Sequence, residues 1–342
     1  MEKIISQVFK KKNILIVSEI GINHFGSLEY AKKMVDAIKE AGGKAVKVQI
    51  HLPNEEMSSE AKKIKPGNSN KDIFSIIKKN SLSLKEEEKL KTYIERKNLL
   101  YIATPFSYDA ATWLNKNKIK IFKIGSGECN NLPLIKHISS FRKPMIISTG
   151  MNNLNDVSKT VNVLKNKNKN ILLHCVNLYP TSINNINFPR MTRMIDKFKN
   201  SVIGFSDHTV GNNAAKIAIT RGAWLIEKHF TLNKNDRGPD ISCSMDASDL
   251  KELIHFSKDY LITQSFKKKQ KDIEKVTKKF AFHSVVTKNK IKKGEKFNYK
   301  NLTTKRPGTG DFHANEIVKL IGKKARTNIS ENILLKRKHV QI

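Results

Sequence analysis

A chain of 342 residues with 39% hydrophobic content is long enough for one large domain and one small one, and it holds no apolar run able to span a bilayer. The formal net charge of +33 comes mostly from Lys scattered along amphipathic segments, with no RNA-binding signature or helix-turn-helix pattern, so neither a nucleic-acid nor a membrane partner is expected. Such a field suits an anionic small molecule instead.

The first residues, MEKIISQVFKKKN, lack the apolar core of a signal peptide. Strand-like runs then recur at NILIVSEI (13–20), KAVKVQI (44–50), LLYIATPF (99–106) and KIFKIGSGE (120–128). Four more follow: PMIISTG (144–150), NILLHCVNLYP (170–180), SVIGFSDH (201–208) and AWLIEKHFT (223–231). Helical periods separate them. In SLEYAKKMVDAIKEAG one face carries Ala31, Met34, Val35, Ile38 and Ala41, and Gly42 stops the helix. In SLKEEEKLKTYIERK, Ser83 is the expected cap, with Leu90, Tyr93 and Ile94 on the buried side. Eight strand–helix alternations predict a (β/α)8 TIM barrel over residues 1–262. KIGSGE lacks the GxGxxG spacing of a dinucleotide-binding open sheet. The charged stretch 263–280 reads as a solvated linker helix, and 281–342 as a small second domain. Cys129, Cys175 and Cys243 form no CxxC pair, which fits packing roles in a reducing cytoplasm.

A barrel places function at the C-terminal ends of its strands. Those ends carry Glu19, Lys47 with Gln49, Thr104, Lys123 with Ser126, Ser148, His174 with Asn177, Ser206 with His208, and Glu227 with His229. Residues two apart on a strand share a face, so a polar ring is expected to converge on one pocket. Its lysines, serines and Asn177 are donors for a phosphate or carboxylate. His208 and His229, with Glu19, Glu227 and Asp207 nearby, could hold a divalent metal and leave positions open for a substrate. The stretch after strand two, LPNEEMSSEAKKIKPGNSNKD, exceeds ordinary loop length and is expected to fold over the pocket.

The strings EIGINHFGS, PGNSNKDI, TPFS, KIGSGECNNLPLI, STGM, HCVNLYPT, GFSDHT, EKHFT and GPDISCSM closely resemble the bacterial sialic acid (N-acetylneuraminate) synthases. IKKGE and NLTTKRPGTGDF resemble that family's C-terminal antifreeze-like (SAF) domain, so the likeness covers nearly the whole chain. The resemblance implies condensation of phosphoenolpyruvate with N-acetylmannosamine, with release of phosphate. It assigns Lys47, Thr104, Lys123, Ser126, Ser148, Asn177 and Ser206 to phosphoenolpyruvate, and His208 and His229 to a divalent cation, typically Mn2+. Gln49, Asn68, Tyr179 and Asp240 would face the amino sugar. Arg306 would reach its N-acetyl group from the partner subunit of a domain-swapped homodimer. Glu19 and Glu227 are the expected catalytic acids. Ile50 and His283 depart from common family residues on the expected sugar side. Legionaminic or pseudaminic acid synthesis from a diacetamido sugar is therefore the alternative, followed by another metal-dependent barrel aldolase or synthase, or a non-catalytic SAF binding protein.

Overall fold

The computed structural model describes residues 2–67, 70–165, 169–265 and 273–341. Helix α1 (Glu2–Phe9) precedes β1 (Leu15–Glu19), α2 (Leu28–Glu40), β2 (Ala45–Ile50), α3 (Pro53–Glu56), α4 (Ile73–Asn80) and α5 (Leu84–Arg96). Next come β3 (Leu100–Pro105), α6 (Tyr108–Lys116), β4 (Phe122–Ile124), α7 (Leu132–Ser140), β5 (Met145–Ser148) and α8 (Leu154–Asn162). The barrel ends with β6 (Asn170–Cys175), α9 (Phe188–Lys197), β7 (Val202–Asp207), α10 (Asn213–Thr220), β8 (Leu225–His229) and α11 (Ala247–Gln264). All eight strands pair in parallel, and β1 closes on β8, so the expected (β/α)8 barrel is present.

Local chemistry starts the helices where the sequence marks them. The Ser27 side chain accepts from the Tyr30 amide at α2, while Ser83 and Glu86 form a reciprocal capping box at α5. Helix α2 buries Ala31, Met34, Val35 and Ile38 against the barrel wall. Gly204 lets β7 approach β8, because a Cβ there would collide with the Leu225 carbonyl.

Strand periodicity divides the lumen into two tiers. Leu15, Val17, Ala45, Leu100, Ile102, Ile121, Ile146, Ile171, Leu173, Val202 and Leu225 form an apolar floor, and α1 plugs it from below with Ile5 and Val8. Continuing β7 by four residues and every other strand by two brings the same face to its C-terminal end. The upper tier is therefore Glu19, Lys47, Thr104, Lys123, Ser148, Cys175, Ser206 and Glu227. A second apolar layer fills the space between strands and helices.

The chain separates into compact units at 263/264. In the second unit, α12 (Lys275–Ala281) is exposed along almost its whole length, and β9 (Ser284–Thr287) pairs antiparallel with β10 (Leu302–Lys305). Its core is Val285, Ile291, Phe297, Leu302, Leu320, Ala325, Ile329, Leu335 and Val340. No described helix is long and apolar enough to cross a membrane.

Candidate active site

The upper tier opens into a cavity of about 380 Å³ at the C-terminal end of the barrel. Glu19, Lys47, Gln49, Thr104, Lys123, Ser126, Ser148, Asn177, Tyr179, Ser206, His208, Glu227, His229 and Asp240 all line it. Fourteen residues expected from eight strand ends and their loops are thus brought to one place. Arg306 lies exposed on the second unit, and Asn68 falls outside the described residues.

Two lysines and two carboxylates form the floor of the site. Lys47 Nζ sits 2.7 Å from Glu19 Oε2 and 3.0 Å from Glu227 Oε1, and Lys123 Nζ is 3.4 Å from Glu227 Oε1. Lys123 also donates to Ser148 Oγ at 2.7 Å, and Ser206 Oγ donates to Glu227 Oε1 at 3.2 Å. Burial opposes charge on every member of this cluster, so its retention points to function. Burial, the largest single influence, raises the Glu19 carboxyl, but Lys47, His229 and Lys123 together outweigh it and hold the pKa at about 2. Lys47 moves the opposite way, since Glu19 and Glu227 overcome its desolvation. Lys123 is lowered, by burial first, with Lys47 adding to the effect. Thr104 Oγ1 and Glu227 Oε2 are buried without a hydrogen-bond partner, leaving one donor and one acceptor ready for a ligand.

Beside this cluster the Ser126 hydroxyl accepts from the Gly150 amide at 3.1 Å. Asn177 lies so close to Gly150 that a Cβ there would meet its Oδ1. Behind them Arg190 donates to the carbonyls of Thr149 and Asn152, and Asn152 donates to that of Ser126. One guanidinium on α9 thereby ties the loops after β4 and β5 together.

The imidazoles of His208 and His229 stand 5.6 Å apart, and the Tyr179 ring lies 4.1 Å from that of His208. His208 Nδ1 donates to the Val176 carbonyl at 2.8 Å, which leaves Nε2 with its lone pair free. His229 Nδ1 is buried with no hydrogen-bond partner. Carboxylates of Glu19 and Asp240 come to 3.6 and 3.7 Å from the His229 nitrogens. Among the described residues no group of three or more His, Cys, Asp or Glu is assembled as a metal cage. A pair of imidazoles, one already oriented by a backbone carbonyl, nevertheless fits two protein ligands of an open divalent-metal site.

Two expectations fail on strand register. His174 points away from the lumen, contacting the Ile186 carbonyl, Arg190 and the rings of Phe188 and Phe205, because Ile171 and Leu173 occupy the inner face and Cys175 continues it. Asp207 is likewise on the outer face, ion-paired to Lys228, and is unavailable to a metal. Conversely, His51, Phe106 and Glu128 line the cavity without having been singled out, as do Ile22, Pro66, Ile73, Ile76 and Ile77. Of the apolar residues, Pro66 comes from the long segment after β2, while Ile73, Ile76 and Ile77 come from α4, which follows it. Only Glu128, at the end of KIGSGE, offered a signal in sequence.

A model of the NeuB family matches residues 34–270, and one of the SAF domain matches 282–341. The chain is 39% identical over 339 residues to the N,N'-diacetyllegionaminic acid synthase of Campylobacter jejuni, covering 95% of this chain and 99% of that protein. It is 32% identical over 337 residues to the synthase of the same name from Legionella pneumophila, covering 95% and 94%. The crystal structure of the N-acetylneuraminic acid (sialic acid) synthetase from Leptospira borgpetersenii, in complex with citrate, superposes with a TM-score of 0.69 at 28% identity. That match covers 78% of this chain and 92% of that one.

Proposed function

The chain belongs to the NeuB family, and from that premise we propose that it joins phosphoenolpyruvate to open-chain N-acetylmannosamine, giving phosphate and a nine-carbon 2-keto acid. One observation carries the reading: buried Lys47 and Lys123 share a cavity with the paired imidazoles of His208 and His229. The first pair suits a multiply charged anion, and the second suits a cation that engages an oxygen-rich partner.

In this reading Lys47, Thr104, Lys123, Ser126, Ser148, Asn177 and Ser206 hold phosphoenolpyruvate. His208 and His229 would hold a divalent cation, Mn2+ by expectation, which when bound serves as a Lewis acid toward the sugar aldehyde. Gln49, Tyr179 and Asp240 orient the sugar so that its carbonyl carbon faces the methylene of phosphoenolpyruvate. Formation of the C–C bond leaves positive charge at the second carbon of phosphoenolpyruvate. Glu19, kept ionised by Lys47, stabilises that charge. Glu227 Oε2, free of other bonds, takes the proton of the water that adds there. As the C–O bond to phosphate breaks, the remaining hydroxyl proton goes to the departing phosphate, the sugar oxygen takes the proton held by Glu227, and the keto acid forms.

The wall of Ile22, Ile73, Ile76 and Ile77 offers apolar surface for an N-acetyl methyl. A diacetamido sugar is the second reading, favoured by the 39% identity to the Campylobacter jejuni protein. The active form is proposed to be a domain-swapped homodimer, with Arg306 of each subunit serving the other's barrel. The deciding measurement is phosphate release from phosphoenolpyruvate with Mn2+ across a panel of hexoses, N-acetylhexosamines and diacetamido sugars, with product masses. Phosphate release with N-acetylmannosamine and a product of matching mass supports the first reading. No release with any of these sugars sinks both.

A further inference from the structure

We infer that His51 is a positioning residue that fixes the amide of Gln49, and through it the Glu19 carboxylate, against the sugar. Gln49 Nε2 donates to Glu19 Oε1 at 2.8 Å, while Gln49 Oε1 lies 3.1 Å from His51 Nε2. The amide cannot be turned round, because its oxygen would then face a carboxylate. His51 Nε2 is consequently the donor in its contact with Gln49. On the other side of the ring, Nδ1 lies 2.9 and 3.2 Å from the two oxygens of Glu56.

The ring is also locked in plane. It stacks on Phe106 with centroids 4.3 Å apart and 9° between planes, and the His51 and Glu56 side chains are only 6% and 7% exposed. Phe106 comes from the loop after β3 and Glu56 from α3, so two separate segments hold one imidazole. The other titratable groups near it are His24 and Glu128, neither of which has a hydrogen bond to the ring. The string Glu56–His51–Gln49–Glu19 ends at Lys47, which contacts the other Glu19 oxygen at 2.7 Å. With both amide contacts made, Gln49 keeps one N–H and one lone pair for a ligand, in a fixed direction. Losing the His51 contact frees the amide to rotate, and both the ligand contact and the Glu19 contact loosen.

This inference rests on the reading of Gln49 as a sugar contact. Asn and Gln replacements separate the two ring nitrogens: His51→Gln sets an amide N–H near the Nε2 position, whereas His51→Asn sets one near Nδ1. The KM for the sugar should rise about tenfold or more in His51→Asn, with that for phosphoenolpyruvate within about twofold of wild type. His51→Gln should recover most of the loss. Equal losses in the two variants, or a loss falling on phosphoenolpyruvate, would show a purely structural role and overturn the inference. Should wild type release no phosphate with any N-acylated sugar, the functional reading fails by itself. The His51 contact is then read from the ring 15N shifts of the wild-type protein, which also serve if the variants do not fold. A hydrogen on Nε2 supports the assignment, and an Nε2 without one refutes it.

Discussion

Lys228 and Asp207 form an ion pair 2.8 Å long in which neither side chain reaches solvent, on the strand faces opposite those that bear Glu227 and Ser206. Lys228 also donates to the Thr209 carbonyl at 2.6 Å, and the other Asp207 oxygen accepts from the Thr209 amide and hydroxyl. Removing either partner alone strands a buried charge and should cost about 3–5 kcal/mol in urea unfolding. Replacing both, as Asp207→Leu with Lys228→Met, should restore most of that loss. Mn2+ affinity of the refolded double variant should match wild type, and a large drop would mean that Asp207 does serve the metal.

For the paired imidazoles the expected outcome is the reverse. His208→Ala and His229→Ala should each keep the barrel folded while weakening Mn2+ binding by at least about tenfold, as titration calorimetry would measure. Unchanged affinity in both variants would remove the proposed metal site.

Gly150→Ala probes the anion side without deleting any charge. Its new methyl would meet Asn177 Oδ1 and Ser126 Oγ, two of the proposed phosphoenolpyruvate contacts. A displacement of about 1 Å there should lower kcat/KM for phosphoenolpyruvate by about a hundredfold while the melting temperature stays close to wild type. Wild-type kinetics would place the anion elsewhere.

Glu87 gives the pH dependence of stability a clear sign. It is buried on α5 with one oxygen lacking a partner, and burial, reinforced by Glu86, raises its pKa to about 8. Tyr101, whose hydroxyl is also unpartnered, and the Lys91–Glu95 pair lie nearby. An unfolded Glu titrates near ~4.3, so the folded chain binds this proton more tightly. The resulting stability is complete below about pH 4 and is lost as pH rises toward about 8, on the order of 4–5 kcal/mol at most. In Glu87→Gln this fall should disappear from a series of denaturant titrations between pH 5 and pH 8. A slope identical to wild type would show that Glu87 is not its source.

Sharing of sites between subunits can be tested by mixing two defects. Arg306→Ala and Glu19→Gln should each be nearly inactive alone. Co-expression makes about half of the dimers mixed, and in each of these one site pairs an intact barrel with an intact Arg306, so about a quarter of all sites should recover. Verified mixed dimers without recovered activity would put Arg306 over its own barrel.

The barrel was legible because its apolar floor is written in β-branched runs, and the polar tier because a period of two carries each inner face upward from that floor. The same rule, applied to Ile171 and Leu173, would have set His174 outward, and applied to Val202 and Ser206 it would have done so for Asp207. His51 was beyond such reading. It lies past the end of β2, and its role depends on Glu56 and Phe106, which reach it only through tertiary packing. Arg190 is similar: nothing in FPRM announces that it will tie together loops after β4 and β5. The glycine of STGM looks like any turn glycine until Asn177 is found against it.

Along the seam where the barrel closes, Glu19 is the register partner of His229, and the Phe230 amide donates to the Glu19 carbonyl at 2.7 Å. Translation delivers one of these residues almost first and the other almost last among the barrel strands. Until β8 zips onto β1, the Glu19 carboxylate and the His229 imidazole do not share a cavity. A growing polypeptide on the ribosome, or a fragment cut short before residue 229, is therefore inert toward its proposed substrates however well its early strands have formed. Closure of the ring is the step that first sets the Glu19 carboxylate beside the His229 imidazole.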